Sequence, residues 1–395
     1  MKKIALIFSI TIYSTLTFAQ QPIRPVTAAV PFLTIASDAR AAGMGDQGVG
    51  TSSDVYSQQW NPAKYAFADS EYGFAMSYTP YLQELVNDIS ISQVNFFNKF
   101  EDRSAFGASL RYFSLGTIIF RTDDVDPGYE EKPSELALDL SYTLKLDPKF
   151  SMAVAGRYIR SDLRLSQENS DATAANAFAF DVAGFYQSEE QAFASFNGKW
   201  RAGFNLQNMG PKISYDGDPN PENGNFLPAT LRIGGGYDFI IDGFNKLTVN
   251  TELSKLMVPT PAGEFATYDA NGDGNIDDTD LNIIRNDIRS TSWVSGLFSS
   301  FNDAPDGMGE EWRETMWSIG AEYVYQDSFA LRLGYFNEHE TKGARKFYTF
   351  GAGFKYNILK IDVSYLFSAS NVRNPLENTL RFSLSFRFGD EYDDN

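Results

Sequence analysis

Residues 379–388 read Thr379-Leu380-Arg381-Phe382-Ser383-Leu384-Ser385-Phe386-Arg387-Phe388. Apolar and polar side chains alternate without a break, and this period of two predicts a β-strand with one apolar and one polar face. The polar face carries two arginines, and an arginine facing lipid at the bilayer midplane costs about 2–4 kcal/mol. The stretch therefore predicts a membrane strand whose apolar face meets lipid and whose charged face points into a lumen.

Thirteen further stretches have a similar length and pattern. The fourteen predicted strands are about 71–80, 88–98, 104–115, 134–146, 150–160, 175–187, 197–207, 228–238, 245–254, 313–325, 328–338, 346–356, 359–368 and 377–389. The number is even, as in bacterial barrels, and tight turns alternate with long connections such as 255–312. We expect an all-β fold, a 14-stranded antiparallel transmembrane β-barrel over residues 71–389. The alternative is an exported soluble sheet with one wet face.

Export is predicted by the first nineteen residues. Lys2 and Lys3 precede an apolar stretch from Ile4 to Phe18, and small residues precede a cleavage site after Ala19, as in a secretory signal peptide. No later segment is apolar over the 18 or more residues that a membrane helix needs. Since an even number of strands returns the chain to its starting side, we expect both termini, with the tail 390–395, in the periplasm of an outer-membrane protein.

Composition excludes several function classes. The chain has no cysteine, so a Cys-ligated zinc site and thiol chemistry are excluded. Its formal net charge of −18 argues against nucleic-acid binding, which needs a basic surface. The single histidine, His339, follows the eleventh predicted strand, and no motif ties a serine to it. We therefore predict no catalytic residues, with a Ser-His hydrolase acting on lipopolysaccharide as the enzyme alternative.

The lumen is predicted to hold charges of both signs, because the polar strand faces carry arginines and carboxylates together. Such charges persist away from water when they are paired. The predicted lumen residues are Arg111, Arg157, Arg201, Arg232, Arg332, Arg381, Asp139, Asp181, Glu252, Glu322 and Asp362. Ion pairs and water, rather than an apolar tunnel, are expected between them. Packing of the barrel is the simpler interpretation of these charges, and a role in transport is the other.

Residues 20–70 lack the strand pattern and are predicted to fold into the lumen as a plug. A glycine-rich run around Gly43 and Gly45 is followed by Asn61-Pro62-Ala63. This plug motif resembles the N-terminal hatch of the FadL family of outer-membrane proteins. That family has fourteen-stranded barrels, which agrees with the strand count.

A closer resemblance extends from about residue 30 to the C-terminus and weakens within 255–312. It is carried by Val30-Pro31-Phe32-Leu33, Ser37-Asp38-Ala39-Arg40, Gly43-Met44-Gly45-Asp46, Asn61-Pro62-Ala63-Lys64-Tyr65, Leu85-Val86-Asn87-Asp88, Leu110-Arg111-Tyr112-Phe113-Ser114-Leu115-Gly116 and Arg157-Tyr158-Ile159-Arg160-Ser161-Asp162-Leu163. These stretches resemble the PorV (LptO) family, the outer-membrane barrels of the type IX secretion system. The resemblance implies a non-catalytic component that associates with the SprA-type translocon barrel. It further implies that secreted cargo is accepted through a C-terminal signal domain and passed to the cell-surface attachment complex. A FadL-like channel for hydrophobic small molecules is the alternative.

The long predicted extracellular loop, 255–312, contains a calcium-loop pattern. Side-chain or backbone oxygens at suitable spacing are offered by Asp269, Asn271, Asp273, Asn275, Asp277 and Asp280, and Gly274 allows the sharp turn. An aspartate instead of a glutamate at the last position, followed by an amphipathic stretch, resembles half of a dockerin repeat. We expect a structural Ca²⁺ site, with an acidic solvated loop as the alternative.

An apolar segment follows the calcium-loop pattern within the same loop. It comprises Trp293, Val294, Leu297, Phe298 and Phe301. Apolar surface outside a lipid-facing band suggests a protein contact, so these are the predicted partner-binding residues. The alternative is packing against the loop's own helix through Ile283, Ile284 and Ile288.

Overall fold

The protein is described from a computed structural model, which covers residues 23–83, 86, 88–121, 128–163, 174–215, 224–263, 266–370 and 374–390. The predicted signal peptide 1–19, residues 20–22 of the predicted plug and residues 391–395 of the predicted tail lie outside the described residues. Leu85 and Asn87, which belong to the family resemblance, lie outside them as well.

Fourteen long antiparallel strands form the barrel, as predicted. Named β1 to β14 in chain order, they are Ser70–Pro80, Ile89–Glu101, Ser104–Leu115, Ser134–Asp147, Phe150–Asp162, Ala175–Gln187, Asn197–Met209, Thr230–Ile240, Asn245–Leu256, Thr315–Tyr325, Phe329–Asn337, Lys346–Tyr356, Leu359–Ser368 and Leu380–Asp390. Each strand pairs with its neighbours in the chain. The barrel closes where β1 pairs with β14, with Tyr72 opposite Phe388.

The two ends of the barrel differ in their connections. At one end, the turn end, strands are joined by 102–103, 148–149, 188–196, 241–244, 326–328 and 357–358. At the other end, the loop end, they are joined by 81–88, 116–133, 163–174, 210–229, 257–314, 338–345 and 369–379. This is the short and long alternation that the sequence predicts. Short strands that were not predicted lie in these connections, at Ile118–Phe120, Tyr129–Glu131 and Gln191–Ala192.

Alternation along the strands separates the two faces of the barrel wall. In β4, Leu138, Leu140 and Tyr142 are exposed on the outside, whereas Asp139 and Ser141 are buried on the lumen side. A strand places successive side chains on opposite faces, so a period-two sequence needs no other device to produce an apolar exterior around a polar interior. Within the described residues, helices that are both long and apolar enough to cross a membrane do not occur.

The plug fills the lumen between the strands. It contains 3-10 helices at Pro31–Thr34 and Pro62–Phe67, and short α-helices α1 (Ala39–Ala42) and α2 (Ser57–Trp60). Most of its apolar side chains are buried. Short 3-10 helices often serve as connectors, and here they change the direction of the plug chain within the lumen.

The plug runs the length of the barrel. The backbone N–H of Arg24 donates to the Thr341 carbonyl at the loop end, at 2.8 Å, whereas β1 starts with Ser70 at the turn end. The start of β1 and the end of β14 therefore lie at the same end, as an even strand number requires. Arg24 lies at the opposite end, because the plug passes through the lumen before the first strand begins. The expectation that both termini lie on one side therefore does not hold for the described start of the chain.

The long loop between β9 and β10 carries three helices, α3 (Asp278–Ser290), α4 (Trp293–Ser299) and α5 (Met308–Arg313). The side chain of Asp277 caps α3 by accepting from the backbone N–H of Thr279, and the carboxylate of Asp280 accepts from the backbone N–H of Asp277. Helix α5 was not predicted, and the strand that follows begins at Thr315 rather than at residue 313.

Candidate functional site: the plugged lumen and the long loop

The Asn-Pro-Ala part of the plug motif fixes the plug to the barrel wall. The Asn61 amide nitrogen donates to the carbonyls of Val49 at 3.1 Å and of Gly184 on β6 at 3.0 Å. Its amide oxygen accepts from the backbone N–H of Ala63. The carbonyls of Pro62 and Ala63 accept from hydroxyls on β4 and β5. Each polar group that the plug buries here is therefore hydrogen-bonded, as burial requires.

The two glycines of the plug motif allow close approach to the wall. Gly45 has a positive φ of 83°, and a Cβ atom there would lie 2.8 Å from the Tyr335 carbonyl oxygen. A Cβ atom on Gly43 would lie 3.0 Å from the Cα of Gly351. A larger residue at position 45 would need both a strained backbone and a shift of the wall.

A buried charge network joins the plug to β10, β11 and β13. Arg40 of the plug contacts Glu322 at 2.9 Å and Asp54 at 2.6 Å. Glu322 also accepts from Arg332 at 2.6 Å, and Arg332 contacts Asp362 at 2.8 Å. Because every member is buried or half-buried, removal of one partner leaves another charge without compensation.

All eleven predicted lumen charges point inward, which confirms the assignment of the strand faces. Several form further ion pairs along the wall or to the plug. These pairs are Arg157 with Asp139 and with Asp181, Arg201 with Asp238, Arg232 with Glu252, and Arg381 with Asp46 of the plug. Arg111 instead donates to the carbonyls of Phe32 and Leu33 of the plug. The charges thus hold the plug against the wall, which the sequence did not reveal.

Two main cavities remain in the lumen. The turn-end cavity has a volume of about 330 Å³ and is lined by residues that include Arg40, Lys199, Lys246, Lys355, Lys360 and Arg387. The loop-end cavity, of about 120 Å³, is lined by residues that include Ile35, Tyr81, Arg232 and Phe347. Among the described residues, none lines both cavities, and plug residues line each of them. The plug therefore separates the two halves of the lumen.

A second charge network, the loop clamp, ties the long loop to the plug and the barrel. Lys342 contacts Glu310 at 2.6 Å and Glu314 at 2.9 Å. Arg24 of the plug contacts Glu310, and Lys255 of β9 contacts Glu314 and Glu311. All six side chains are buried. The sequence missed this clamp, because its members come from four separate segments.

The clamp determines the ionisation of Glu310. Burial opposes its ionised form, but hydrogen bonds from Lys342 and from the Asp306 backbone, with the charges of Lys342 and Arg24, outweigh that effect. The pKa of Glu310 is therefore lowered from its ordinary value. The network holds this carboxylate in its charged form.

The predicted partner-binding residues divide into two sets. Leu297 is buried against Met209, Ala229 and Met257, and the Trp293 ring packs edge-on against Phe180 of β6 with 6.2 Å between ring centroids. These two residues attach α4 to the outer wall of the barrel and not to Ile283, Ile284 or Ile288, so the packing alternative named the wrong surface.

The other predicted residues remain exposed at the loop end. These are Val294, Phe298 and Phe301. Met308 and Trp312 of α5, which the sequence missed, are exposed to 70% and 74%. We name these five exposed residues the loop apolar surface; three of them, Phe301, Met308 and Trp312, line one groove against the outer wall of the barrel. The exposed fraction of Trp312 is unusual for so large an apolar side chain, and a cluster of such residues is typical of an interaction surface.

The predicted calcium loop is folded by its own carboxylates. Asp269 accepts from the backbone N–H groups of Gly272 and Gly274, at 2.6 and 2.8 Å. Asp280 accepts from Ala270 and Asn271. In the part of the chain that the structure describes, no three acidic, histidine or cysteine side chains are grouped so that they could hold a metal ion. Calcium binding by Asp269, Asn271, Asp273, Asn275, Asp277 and Asp280 stays a prediction.

His339 lies at the loop end and is half-buried. Its Nδ1 atom is 3.0 Å from the Thr341 hydroxyl. Burial, followed by the charge of Arg313, lowers its pKa. Among the hydrogen bonds of the described residues, none joins His339 to a serine. The arrangement expected of a serine hydrolase is therefore not present around this histidine in the described residues.

The chain matches the model of a known protein family. The family described as "Type IX secretion system protein PorV" matches residues 18–263, which is more than half of the 395 residues. The chain belongs to the PorV family. Membership confirms the resemblance seen in the sequence. Together with the closed fourteen-stranded fold, it identifies an outer-membrane barrel of the type IX secretion system.

Similar solved structures are FadL-type barrels. The toluene transporter TbuX of Ralstonia pickettii is 14% identical, with a TM-score of 0.47 over 90% of this chain and 99% of that chain. The P. putida toluene transporter TodX is 10% identical, with a TM-score of 0.48 over 88% and 97%. A Pseudomonas aeruginosa FadL homologue is 11% identical, with a TM-score of 0.42 over 94% and 100%. Comparison with curated protein sequences gives no match.

Proposed function

We propose that this PorV-family barrel is a non-catalytic component of type IX protein secretion. In this proposal it associates with the SprA-type translocon barrel and accepts secreted cargo through the cargo's C-terminal signal domain. It then passes the cargo to the cell-surface attachment complex. The observation that carries the proposal is the family match over residues 18–263.

The topology proposed for this role places the loop end outside the cell and the turn end in the periplasm. Long loops are extracellular and short turns periplasmic in outer-membrane barrels, which supports this orientation. In this orientation the loop apolar surface lies at the extracellular end of the barrel, where we propose that a protein partner contacts it. Arg24 would lie near the outer surface, while Asp390 at the end of β14 would lie at the periplasmic end.

The loop apolar surface is the proposed contact with the protein partner. Aromatic residues contribute most to binding energy when a partner buries them at the centre of an interface. Phe298 and Trp312 are exposed in the free protein and so are available for such burial. The loop clamp holds α5, and Trp293 with Leu297 holds α4, so that little conformational entropy remains to be lost on binding. The proposed contact comprises Val294, Phe298 and Phe301, which the sequence predicts, together with Met308 and Trp312.

A FadL-like channel for hydrophobic small molecules is the alternative. Such a channel needs a continuous apolar path, whereas the plug of this barrel meets the wall through buried charges such as Arg40 and Glu322. Opening a path would require separation of these pairs, which is costly in a site shielded from water. The plugged and charged lumen therefore favours the secretion role over small-molecule passage.

Purification of the tagged chain from outer membranes in mild detergent separates the two functions. Recovery of a very large partner barrel, or of secreted proteins that carry the signal domain, would support the secretion role. Recovery of lipid alone, with secretion unchanged in a deletion strain, would support the channel. An unrelated tagged barrel is the control for non-specific recovery. Unchanged surface polysaccharide in His339→Ala cells would remove the enzyme alternative.

A further inference from the structure

An apolar groove lies between helix α5 and the outer wall of the barrel, and its volume is about 250 Å³. On the loop side it is lined by Phe301, Met308 and Trp312. Met308 and Trp312 are four residues apart in α5, so they project from the same face of the helix. Both side chains are largely exposed. The groove therefore presents apolar surface that the described part of the chain leaves uncovered.

The floor of the groove belongs to the lipid-facing wall. Ile233 of β8 is directly opposite Leu253 of β9, and Leu231 is opposite Lys255. Ile233 and Leu253 are exposed on the outer face of the barrel. Leu253 lies three residues before the end of β9, which is about 10 Å along the strand. The groove thus extends from the loop into the apolar band that meets the acyl chains of a membrane.

A buried ion pair holds α5 away from the wall at this position. Lys255 is on the same face of β9 as Leu253, and its amine contacts Glu311 of α5 at 3.1 Å. Both charged side chains line the groove and are buried. Helix α4, by contrast, packs directly on the wall through Leu297. Because breaking a buried ion pair is costly, the gap under α5 cannot close as the contact under α4 does.

The chemistry of the lining favours an acyl chain over a peptide. Six of the ten lining side chains are apolar, and the two charged ones, Lys255 and Glu311, are paired with each other. A peptide would bring backbone N–H and C=O groups that need hydrogen-bond partners when buried. Among the described residues of the lining, only Ser254 and Thr315 are polar and uncharged. An acyl chain needs no such partners, and an exposed tryptophan such as Trp312 is typical of the boundary between lipid and water.

We propose that this groove binds an acyl chain of an outer-membrane lipid, between the wall residues on one side and the loop residues on the other. The occupant is a lipid because the groove is continuous with the wall that lipid covers. Val294 and Phe298 of the loop apolar surface do not line the groove, so they stay available to a protein partner while the lipid is bound. The inference goes beyond the proposed secretion role and does not depend on it.

The test is a lipid titration of the full chain, purified in detergent without partner proteins. The probe is phosphatidylcholine with brominated acyl chains, which quench tryptophan fluorescence on contact. The contribution of Trp312 is the difference between the unaltered protein and Trp312→Phe, which keeps an aromatic ring in the groove. This contribution should fall in a single saturable step, at one lipid per protein.

A pair of variants on one strand separates the groove from the rest of the wall. Leu253→Phe places a larger side chain in the floor of the groove and should weaken the saturable step about tenfold. Val249→Phe is the matched control, because Val249 is exposed on the same face of β9 but does not line the groove. Its titration should match that of the unaltered protein. Heat-modifiability in gels should be normal for both variants, since an aromatic side chain can face lipid at either position.

Native mass spectrometry gives a second measurement that does not depend on fluorescence or on Leu253→Phe. The unaltered protein should retain one bound phosphatidylcholine in mild detergent, and Trp312→Ala, which removes a large part of the loop side of the groove, should lose it. Retention of the lipid by Trp312→Ala would contradict the assignment.

The titration also has results that would overturn the proposal. Quenching of Trp312 without saturation would mean general contact with lipid around the barrel. An equal weakening in Val249→Phe, or none in Leu253→Phe, would place the lipid elsewhere on the wall. Reduced partner recovery by Leu253→Phe without a saturable lipid step would assign the groove to the protein contact instead. Because the titration contains no partner protein, its failure leaves the secretion role untouched.

Discussion

The plug and the long loop are the two large parts of this barrel that are not membrane strands, and both are held by buried ion pairs. They differ in where their apolar side chains point. In the plug, Phe32, Met44 and Trp60 are buried inside the lumen. In the loop, Phe298 and Trp312 are exposed. The same device, a network of buried charges, thus secures an internal stopper in one region and an outward-facing apolar surface in the other.

The two regions also differ in how their contacts are distributed. The plug contacts strands around the barrel, including β4 and β6 through Asn61-Pro62 and β10 through Arg40. The loop helix α4 packs only on one sector of the outer wall, around Phe180 and Met209. A part held on all sides can be released only by loss of many contacts. The loop lies outside the lumen, so it can bind a partner while the barrel stays intact.

The largest effect is expected when the plug network is broken. Arg40→Ala removes the cation between Glu322 and Asp54, and loss of one partner of a buried ion pair costs about 3–5 kcal/mol. The plug should loosen, and conductance across a planar lipid bilayer should rise above that of the unaltered barrel. Lys149→Ala is the control, because Lys149 and its partner Glu189 are 39% and 79% exposed and an exposed pair contributes little. A closed Arg40→Ala barrel of unchanged stability would show that the plug does not depend on this network.

The second prediction concerns the exposed face of the loop. Phe298→Ala combined with Trp312→Ala should weaken partner recovery and slow secretion, because central aromatic contacts contribute about 2 kcal/mol or more each. Barrel abundance and heat-modifiability in gels should stay normal, since neither side chain is buried. Leu297→Ala is the contrasting variant, because it removes a contact with the barrel wall and should loosen the loop itself. Full partner recovery by the double variant would place the interface elsewhere.

The third prediction concerns the pH dependence of the loop clamp. The lowered pKa of Glu310 means that its contribution is complete above the ordinary value of 4.5 and is lost as pH falls through the lower folded value. Protease cleavage within 257–314 should therefore increase below about pH 4.5. Asp303 has the opposite effect on the pH dependence of stability. Burial raises its pKa, so its ionisation as pH rises opposes folding. Comparison with Glu310→Gln isolates the effect of Glu310, and an identical pH profile in that variant would contradict the assignment.

The barrel and the inward position of the lumen charges could be predicted from the sequence. Strand faces follow from the period of two, and an arginine such as Arg332 has no stable place facing lipid, so its inward position could be predicted. The position of Lys355 opposite Lys360 could not be predicted, because it depends on the register between two strands. A shift of two residues between paired strands keeps every side chain on the same face. The alternating pattern of one strand therefore does not show which of these registers occurs.

The loop was predicted less completely for a different reason. An apolar segment such as Trp293–Phe301 predicts burial in the protein or binding to a partner. Which of its residues are buried and which stay exposed depends on the surface beneath the helix. Here the outer wall of the barrel supplies that surface for Trp293 and Leu297. The path of the plug escaped prediction too, because an even strand number constrains only the start of β1 and the end of β14.

The smallest effect is expected from calcium at the tip of the long loop. Asp269 and Asp280 already close the turn through backbone hydrogen bonds, so an ion would add to an existing conformation. Extracellular calcium sites bind at roughly 10⁻⁴–10⁻³ M, and millimolar Ca²⁺ would then stabilise the loop by about 1 kcal/mol. Chelation, or Asp269→Ala with Asp273→Ala, should modestly raise protease cleavage within 257–314, whereas Asp287→Ala on the exposed face of α3 should not. If cleavage is the same with calcium, with chelator and in the double variant, the loop is organised by its hydrogen bonds and the clamp alone.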